Sequence, residues 1–393
     1  MKVMGFNSGA LHLTCEACEE DEEKDSDRLH GTKLGRGTLP VMTSVENLSR
    51  RVSAHWNDAA LQSMEELLRG NPSIVITAHR SPDGDAVGST LGLYHLLTAM
   101  NLRASVVLPD RFAPFLDWMP GSESITFQSE ASEASENLVA EADVIFCLDY
   151  NSLDRAGLLS KSIEKSGAKK IMIDHHREPD SFVDVMVSDP TCGSTCELVC
   201  DWALASGHWG DMSIAAAQCL YTGIVTDTGS FRFPSVSSHT HGVVSALLDL
   251  GLNHSEVHES TFDDQSLSRV QLQGYAMSER LKIWKDGGVG VVALDLNDLE
   301  RFNYESGDTE GLVNRILGIR GIRMAIFMKE SEPGKVKMSL RSKGAVDVQA
   351  LAVANFNGGG HMNAAGGVLL GLSLEEAKTK VSSVIDAWVS SKA

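Results

Sequence analysis

Four places in this chain gather aspartate and histidine: His79-x-x-x-Asp83-x-Asp85, then Asp149, then Asp174-His175-His176, then Asp227-Thr228-Gly229. Singly, each has an ordinary use, because loop aspartates cap helices and build turns. Adjacent histidines beside an aspartate are harder to explain that way. Brought together, three or more carboxylates would repel, and some would be forced to protonate. Divalent ions remove that conflict. Carboxylate oxygens with imidazole nitrogens suit Mn2+, with Mg2+ also able to bind and Zn2+ or Fe2+ suited less. No cysteine lies in these four stretches. Two ions roughly 3.5–4 Å apart can share a bridging carboxylate and a bridging hydroxide, which is a nucleophile near neutral pH, and can neutralise a phosphoryl group.

Such side chains need elements that end at one place. Residues 44–69 read as a helical segment, broken at Asn71-Pro72. The apolar run 74–78 suits a buried strand leading into the first group, and residues 86–100 carry helical periodicity. Residues 144–148 and 170–173 read as strands, with Asp149 at the end of one and Asp174, His175 and His176 at the end of the other. Residues 194–205 read as a helix, capped by Ser194 or Thr195, with Glu197 completing a capping box. Residues 214–225 are apolar and helical in character and run into Asp227. With all four groups taken as following apolar strands, a parallel sheet would deliver them along one edge.

The alternation of strand and helix implies an N-terminal doubly wound, mostly parallel sheet domain over residues 43–253. A polar helical linker (254–285) leads to a smaller C-terminal α/β domain with a mixed sheet (286–393), the active site lying in the cleft between them. The second domain should contain strands at 289–294, 324–328 and 336–341, a glycine loop at Gly358-Gly359-Gly360-His361, and a closing amphipathic helix at 374–388. Residues 1–42 contain the acidic block 16–27 and are expected to be a disordered extension, with Met42 an alternative start to Met1.

The net charge of −19, from 34 basic and 53 acidic residues, argues against a protein that coats long nucleic acid through its phosphates. It leaves small phosphorylated substrates open, since a few arginines and bound cations reverse the field locally. No run of about 18 apolar residues suggests a membrane span. Seven cysteines without an apolar leader read as reduced, cytoplasmic thiols. Cys15 and Cys18 form a lone CxxC pair. Cys192, Cys196 and Cys200 recur every four residues and read as small core residues on one helical face.

In the second half, Gly358, Gly359 and Gly360 would let backbone N–H groups approach a phosphate or base closely, with His361 and Asn363 adding side-chain hydrogen bonds. Arg341, at a strand end, suits a bidentate phosphate clamp. Arg155, Arg177 and Arg232 lie near the metal loops in sequence, while His239 and His241 read as capping or surface residues.

The four groups, in order, resemble the motifs of the DHH phosphoesterase superfamily. Ser339-Leu340-Arg341-Ser342 with Gly358-Gly359-Gly360-His361-x-Asn363-Ala364-Ala365-Gly366 resembles the first type of DHH-associated domain, and the two together cover about residues 54–390. The subgroup most similar is that of the two-domain nanoRNase (oligoribonuclease) and pAp phosphatase enzymes. The resemblance implies that His79 and Asp83 bind one metal ion and that Asp85, His175 and Asp227 bind a second. Asp149 would bridge both. Asp174 would orient a histidine, and His176 would touch the substrate phosphate or leaving oxygen. Arg341, Ser342, the three glycines, His361 and Asn363 would hold the substrate. It further implies two divalent ions, with Mn2+ favoured over Mg2+. The substrates would be short RNA oligonucleotides or pAp, with no long nucleic acid or membrane as partner, and a homodimer is compatible with it. Phosphodiesterases of cyclic dinucleotides are the alternative enzyme, and a non-catalytic nucleotide sensor the alternative from another class. The sequence departs from the pattern at Ser81, where the family often carries Asn, which bears on loop geometry.

Overall fold

A computed structural model describes Leu48, Val52 and residues 56–284 and 288–390. The extension expected over 1–42, the Cys15–Cys18 pair and most of the helical segment before residue 57 lie outside the described residues. The first sheet runs β1 (Ser73–Thr77), β2 (Arg103–Leu108), β3 (Thr126–Phe127), β4 (Val144–Leu148), β5 (Lys169–Asp174) and β6 (Val185–Ser188). All pairings are parallel, in the order β3-β2-β1-β4-β5-β6. The order reverses between β1 and β4, and in open α/β sheets the crevice at that point takes the ligand. Every residue of β4 is buried, as a strand covered on both faces requires.

The helices of this lobe are α1 (Asp58–Leu68), α2 (Gly84–Ala99), α3 (Ser132–Glu141), α4 (Ser160–Lys165), α5 (Thr195–Ala205), α6 (Ile214–Asp227) and α7 (Ser238–Asp249). Helices α2 and α6 are apolar nearly all round, the mark of a buried helix, and they pack on each other without room to spare. A Cβ on Gly84 would lie 2.3 Å from Thr226 Oγ1, one on Gly88 2.5 Å from the Cys219 carbonyl, and one on Gly92 2.5 Å from Leu220. These glycines recur every four residues, so they form one stripe along α2. Asp227 therefore arrives on the last turn of a helix rather than at a strand end, which corrects the expectation that all four groups follow strands.

The linker contains α8 (His254–His258), a π turn (Glu259–Asp263) and α9 (Leu267–Glu279). Its last residues are not helical. β7 (Leu281–Trp284) pairs antiparallel with β8 (Val289–Leu294) as an edge strand. The second sheet continues with β9 (Met324–Glu332), β10 (Lys335–Ser342), β11 (Gly359–His361) and β12 (Ala364–Leu370), in the order β11-β12-β10-β9-β8-β7. Only β8–β9 is parallel, so the sheet is mixed. Helices α10 (Leu296–Arg301) and α11 (Leu312–Leu317) join α9 on one face, with Val292, Leu294, Ala325 and Phe327. Helices α12 (Val348–Asn355) and α13 (Leu374–Ser390) cover the other, with Val291, Ile326, Met338 and Leu340. Among the described residues no helix is long and apolar enough to cross a membrane.

Candidate active site

His79 follows β1, Asp149 follows β4 and Asp174 ends β5, so three neighbouring strands present their C-terminal ends together. Asp149 sits with φ +62°, a left-handed backbone that aspartate tolerates better than most residues. The His79 ring turns Nδ1 to the Arg80 carbonyl (2.9 Å). Its Nε2 then lies 3.3 Å from Asp149 Oδ2 and 3.8 Å from Asp83 Oδ1. His175 is arranged alike, with Nδ1 3.4 Å from the Cys192 carbonyl. Its Nε2 lies 3.3 Å from Asp227 Oδ2, 3.5 Å from Asp149 Oδ1 and 3.8 Å from Asp85 Oδ2.

Two donor sets result, His79–Asp83–Asp149 and Asp85–His175–Asp227, the ligand atoms in each within 4.8 Å of one another. Asp149 faces both, one oxygen toward each histidine. Asp174, fully buried, accepts His176 Nδ1–H at 2.7 Å and the His176 backbone N–H at 3.1 Å. His176 Nδ1 is also 3.6 Å from Asp149 Oδ1, so geometry alone admits a third set, Asp149–His175–His176. The close Asp174 bond engages Nδ1 and fixes the plane of the ring.

The electrostatics explain why this donor set fits cations. Burial pushes the Asp85 carboxyl up, and Asp149 and Asp227 push it further. Burial also lifts Asp227, to about 6. Burial would lower His79, but Asp149 and Asp83 outweigh it and raise the imidazole to about 9. His175 is likewise raised to about 9, with Asp227 and Asp149 overcoming burial. Asp149, although buried, is held well below the usual carboxylate range by His79, His176 and His175. Protons on imidazoles thus balance crowded carboxylates, a task divalent ions perform with neutral histidines. With Nδ1 turned to a carbonyl on each ring, Nε2 is the nitrogen aimed at the carboxylates, the orientation usual for a ligating histidine.

Several supporting groups escaped sequence reasoning. Asp85 Oδ2 accepts the Thr195 N–H (2.7 Å) and Oδ1 the Cys196 N–H (3.0 Å). A carboxylate is thereby fixed at the positive end of α5. The Thr195 hydroxyl donates to Asp149 Oδ1 (3.1 Å). A Cβ on Gly223 would strike Cys196 Sγ at 2.2 Å and Asp85 Oδ1 at 2.8 Å, so the α2–α6 packing also sets the Asp85–Asp227 approach. Ser194 caps α5 by accepting the Glu197 N–H (3.1 Å), a sequence signal that gives no hint of Asp85, which lies 110 residues away from Thr195.

The second lobe contributes Arg341 from β10. Burial lowers its pKa, while Asp227, Glu310 and Asp83 pull it back up, which puts its charge across the cleft from the donor sets. Its Nη1 donates to the Leu340 carbonyl, and its Nε has no hydrogen-bond partner among the described residues. Ser342 and Asn363 are occupied within the lobe. Asn363 Nδ2 donates to Ser342 Oγ (2.8 Å) and the Gly344 carbonyl (3.0 Å), and Ser342 Oγ donates to the Val346 carbonyl. The glycine run is not a free loop, because Gly359 and Gly360 pair with β12 in β11. A Cβ on Gly358 would meet the Gly366 carbonyl at 2.0 Å and one on Gly360 the Ala364 carbonyl at 2.5 Å, whereas Gly359 faces open space. His361 ends β11, and its side chain lies outside the described residues.

Of the three arginines noted in sequence, Arg155 acts on His79 by charge, Arg177 is exposed, and Arg232 donates to the Gly229 carbonyl. His239 is not a surface residue. Its Nε2 lies 2.6 Å from Oδ1 of the fully buried Asp201. His241 is exposed. Cys196 and Cys200 lie on α5, but Cys192 precedes the helix. All three are buried, and burial raises their thiols.

Comparison with known proteins agrees with this architecture. Residues 73–224 match the DHH family, N-terminal domain, and residues 288–391 match the DHHA1 domain. The chain is 33% identical over 310 residues, 78% of this chain and 87% of the relative, to the bifunctional oligoribonuclease and PAP phosphatase NrnA of Thermus thermophilus. The Bacillus subtilis protein of the same name is 28% identical over 295 residues, 75% of this chain and 88% of its own length. A crystal structure of an exopolyphosphatase-related protein from Bacteroides fragilis superposes with a TM-score of 0.80 at 37% identity, covering 84% of this chain and 96% of that one.

Proposed function

This chain belongs to the DHH family, and on that premise we propose that it hydrolyses short oligoribonucleotides to mononucleotides and removes a phosphate from pAp. One observation carries the reading: the single carboxylate of Asp149 turns one oxygen to each of two His–Asp sets. His79, Asp83 and Asp149 would hold one divalent ion, and Asp85, His175, Asp227 and Asp149 the other, with manganese best suited to this donor set. When bound, such ions activate water near neutral pH and offset charge on a phosphoryl group.

The chain's own residues prepare the rest. The Arg80 and Cys192 carbonyls fix the two ligating rings. Asp174 fixes His176 so that Nε2 can meet the substrate phosphate or pass a proton to the leaving oxygen. Arg341, across the cleft, would grip a phosphate oxygen with donors not spent inside the protein. Gly359 offers the open stretch of β11 along which a nucleotide can lie. Ser342 and Asn363 would act by holding that edge in shape rather than by touching substrate. The buried free thiols Cys147, Cys192, Cys196, Cys200 and Cys219 suit a reducing, cytoplasmic setting.

The test is product analysis with added Mn2+ on two- to five-nucleotide RNAs, pAp, linear pApA and cyclic di-AMP. Mononucleotides from the short RNAs and AMP from pAp are the expected outcome. Turnover of cyclic di-AMP alone would move the protein to the cyclic-dinucleotide phosphodiesterases. Binding without turnover of any of them would make it a sensor.

A further inference from the structure

Strands β9 and β10 carry a feature that the chemistry at the metals does not need. In their antiparallel register Lys337 stands directly opposite Lys329. Like charges facing each other across a strand pair destabilise a sheet; Tyr304, Asp308 and Glu310 act on Lys329, while Lys337 opposite it is exposed. Residues 337, 339 and 341 alternate to the same face of β10, so both lysines share the face that carries Arg341.

That face borders the cleft. The Lys329 ammonium donates to the Tyr304 hydroxyl and lies 4.3 Å from the centroid of its ring. Tyr304 begins the turn 304–311, whose Asp308 and Glu310 carbonyls accept bonds from the buried Gln273 amide (2.9 and 3.3 Å). Gly307 in that turn packs against Ala113 and Phe115 of the first lobe, to which a Cβ would come within 2.9 and 3.3 Å. Burial raises the Tyr304 phenol and Asp308 adds to it, while Lys337 acts in the opposite sense, so the Lys337 charge sits on the Tyr304 side. Partial desolvation raises the Glu310 carboxyl, although much of the residue is exposed, and Asp83 raises it further, against Arg269, Arg341 and Lys329. Glu310 thus lies in the field of a metal-site carboxylate, of Arg341 and of Lys329 together. Asp308 and Glu310 are the carboxylates whose charge reaches Lys329. Asp308 Oδ2 is engaged by the Glu305 N–H (2.8 Å).

We propose that Lys329 and Lys337 form a second phosphate subsite, with Tyr304 at its edge, for a nucleotide beyond the one gripped at Arg341. Four strand steps lead from Lys337 to Arg341, ~14 Å at the usual rise. Only a substrate longer than a dinucleotide spans that gap. A phosphate between the two ammonium groups turns their repulsion into shared attraction, and the pair then reads substrate length. The proposal rests on the reading that Arg341 holds the phosphate nearest the metals.

Lys337 is exposed, so its replacement leaves the fold intact. The experiment compares Lys337→Glu, Lys337→Arg and the unaltered protein on two- and four-nucleotide RNA in Mn2+, with affinities for the same RNAs measured separately by anisotropy in Ca2+. For Lys337→Glu, KM for the tetranucleotide should rise about fivefold or more while the dinucleotide changes less than about twofold. Lys337→Arg should restore the unaltered values. Equal effects on both lengths, or none on either, would overturn the subsite. If the unaltered protein cleaves neither RNA, the hydrolase reading fails by itself. The subsite is then judged on affinity, where a tetranucleotide advantage lost in Lys337→Glu supports it and no such advantage rejects it.

Discussion

The two lobes face each other across one cleft and are built on opposite plans. On the first, four carboxylates at the donor sets are pinned: Asp83 caps α2, Asp85 accepts backbone N–H groups at the start of α5, Asp174 grips His176, and Asp149 takes the Thr195 hydroxyl. On the second, Arg341 keeps an unpartnered Nε among the described residues, Lys337 is exposed, and Gly359 opens onto space. Chemistry on a phosphate needs ligands fixed to a fraction of an ångström. Gripping the rest of a short, variable strand needs charge with room to adjust. Under the proposed function, the contrast makes one side of the cleft the side that reacts and the other the side that recognises.

The largest effect should come from breaking the reacting side at its centre. Asp149→Asn keeps the shape and tolerates the same left-handed backbone, so it removes charge alone. We expect kcat/KM to fall on the order of a thousandfold or more. The rise in melting temperature that Mn2+ gives the unaltered protein should vanish with it. A variant that keeps that thermal shift would show that Asp149 does not hold the ions.

Arg341→Ala breaks the recognising side. KM for short RNA and pAp should increase about 10- to 100-fold, the scale of a lost charged phosphate contact, with kcat changed much less. The Mn2+ thermal shift should stay whole. Loss of that shift in Arg341→Ala would erase the division of labour between the lobes.

How far the sequence foretold each side follows from what makes each work. The candidate site residues His79, Asp149, Asp174 and His175 at strand ends, and Asp83 in the loop after β1, were legible because residue chemistry and strand periodicity both mark them. Asp227 was legible as a residue but not as the end of a helix, since an apolar run buried on all sides has no telling period. The Gly84, Gly88 and Gly92 stripe that brings α6 against α2 passed as ordinary helix sequence, because its meaning lies in the partner helix. Gly358-Gly359-Gly360 reads as a glycine loop that lets the backbone approach a ligand, yet two of its three glycines answer to carbonyls of the neighbouring strand. The Lys329–Lys337 pairing depends on register, which sequence alone does not supply.

Glycine substitutions sharpen that lesson. Gly88→Ala drives a methyl into the Cys219 carbonyl at 2.5 Å, where only backbone can give way. It should cost about 1–3 kcal/mol of unfolding free energy, measured by urea denaturation, and weaken Mn2+ binding as α6 shifts. Gly359→Ala meets nothing within 4 Å and should leave stability within about 0.5 kcal/mol while raising KM. If the two variants prove equally destabilised, glycine does not divide between packing and opening as described.

The smallest effect tests a single backbone torsion on the reacting side. Ser81 departs from the Asn the family often carries there and has φ +53°, in the left-handed region where Asn is accommodated better than Ser. Its side chain is exposed, and its N–H donates to Asp110 Oδ2 at 3.0 Å, a bond any residue but proline can make. Ser81→Asn should therefore add roughly 0.5 kcal/mol of stability and leave kcat/KM unaltered. The gain would come from relief of strain two residues from His79 and not from any new contact with metal or substrate. A change in Mn2+ affinity without a change in stability would mean instead that the side chain at position 81 reaches the ligands, and that the loop after β1 is less firmly set than the carboxylates it carries.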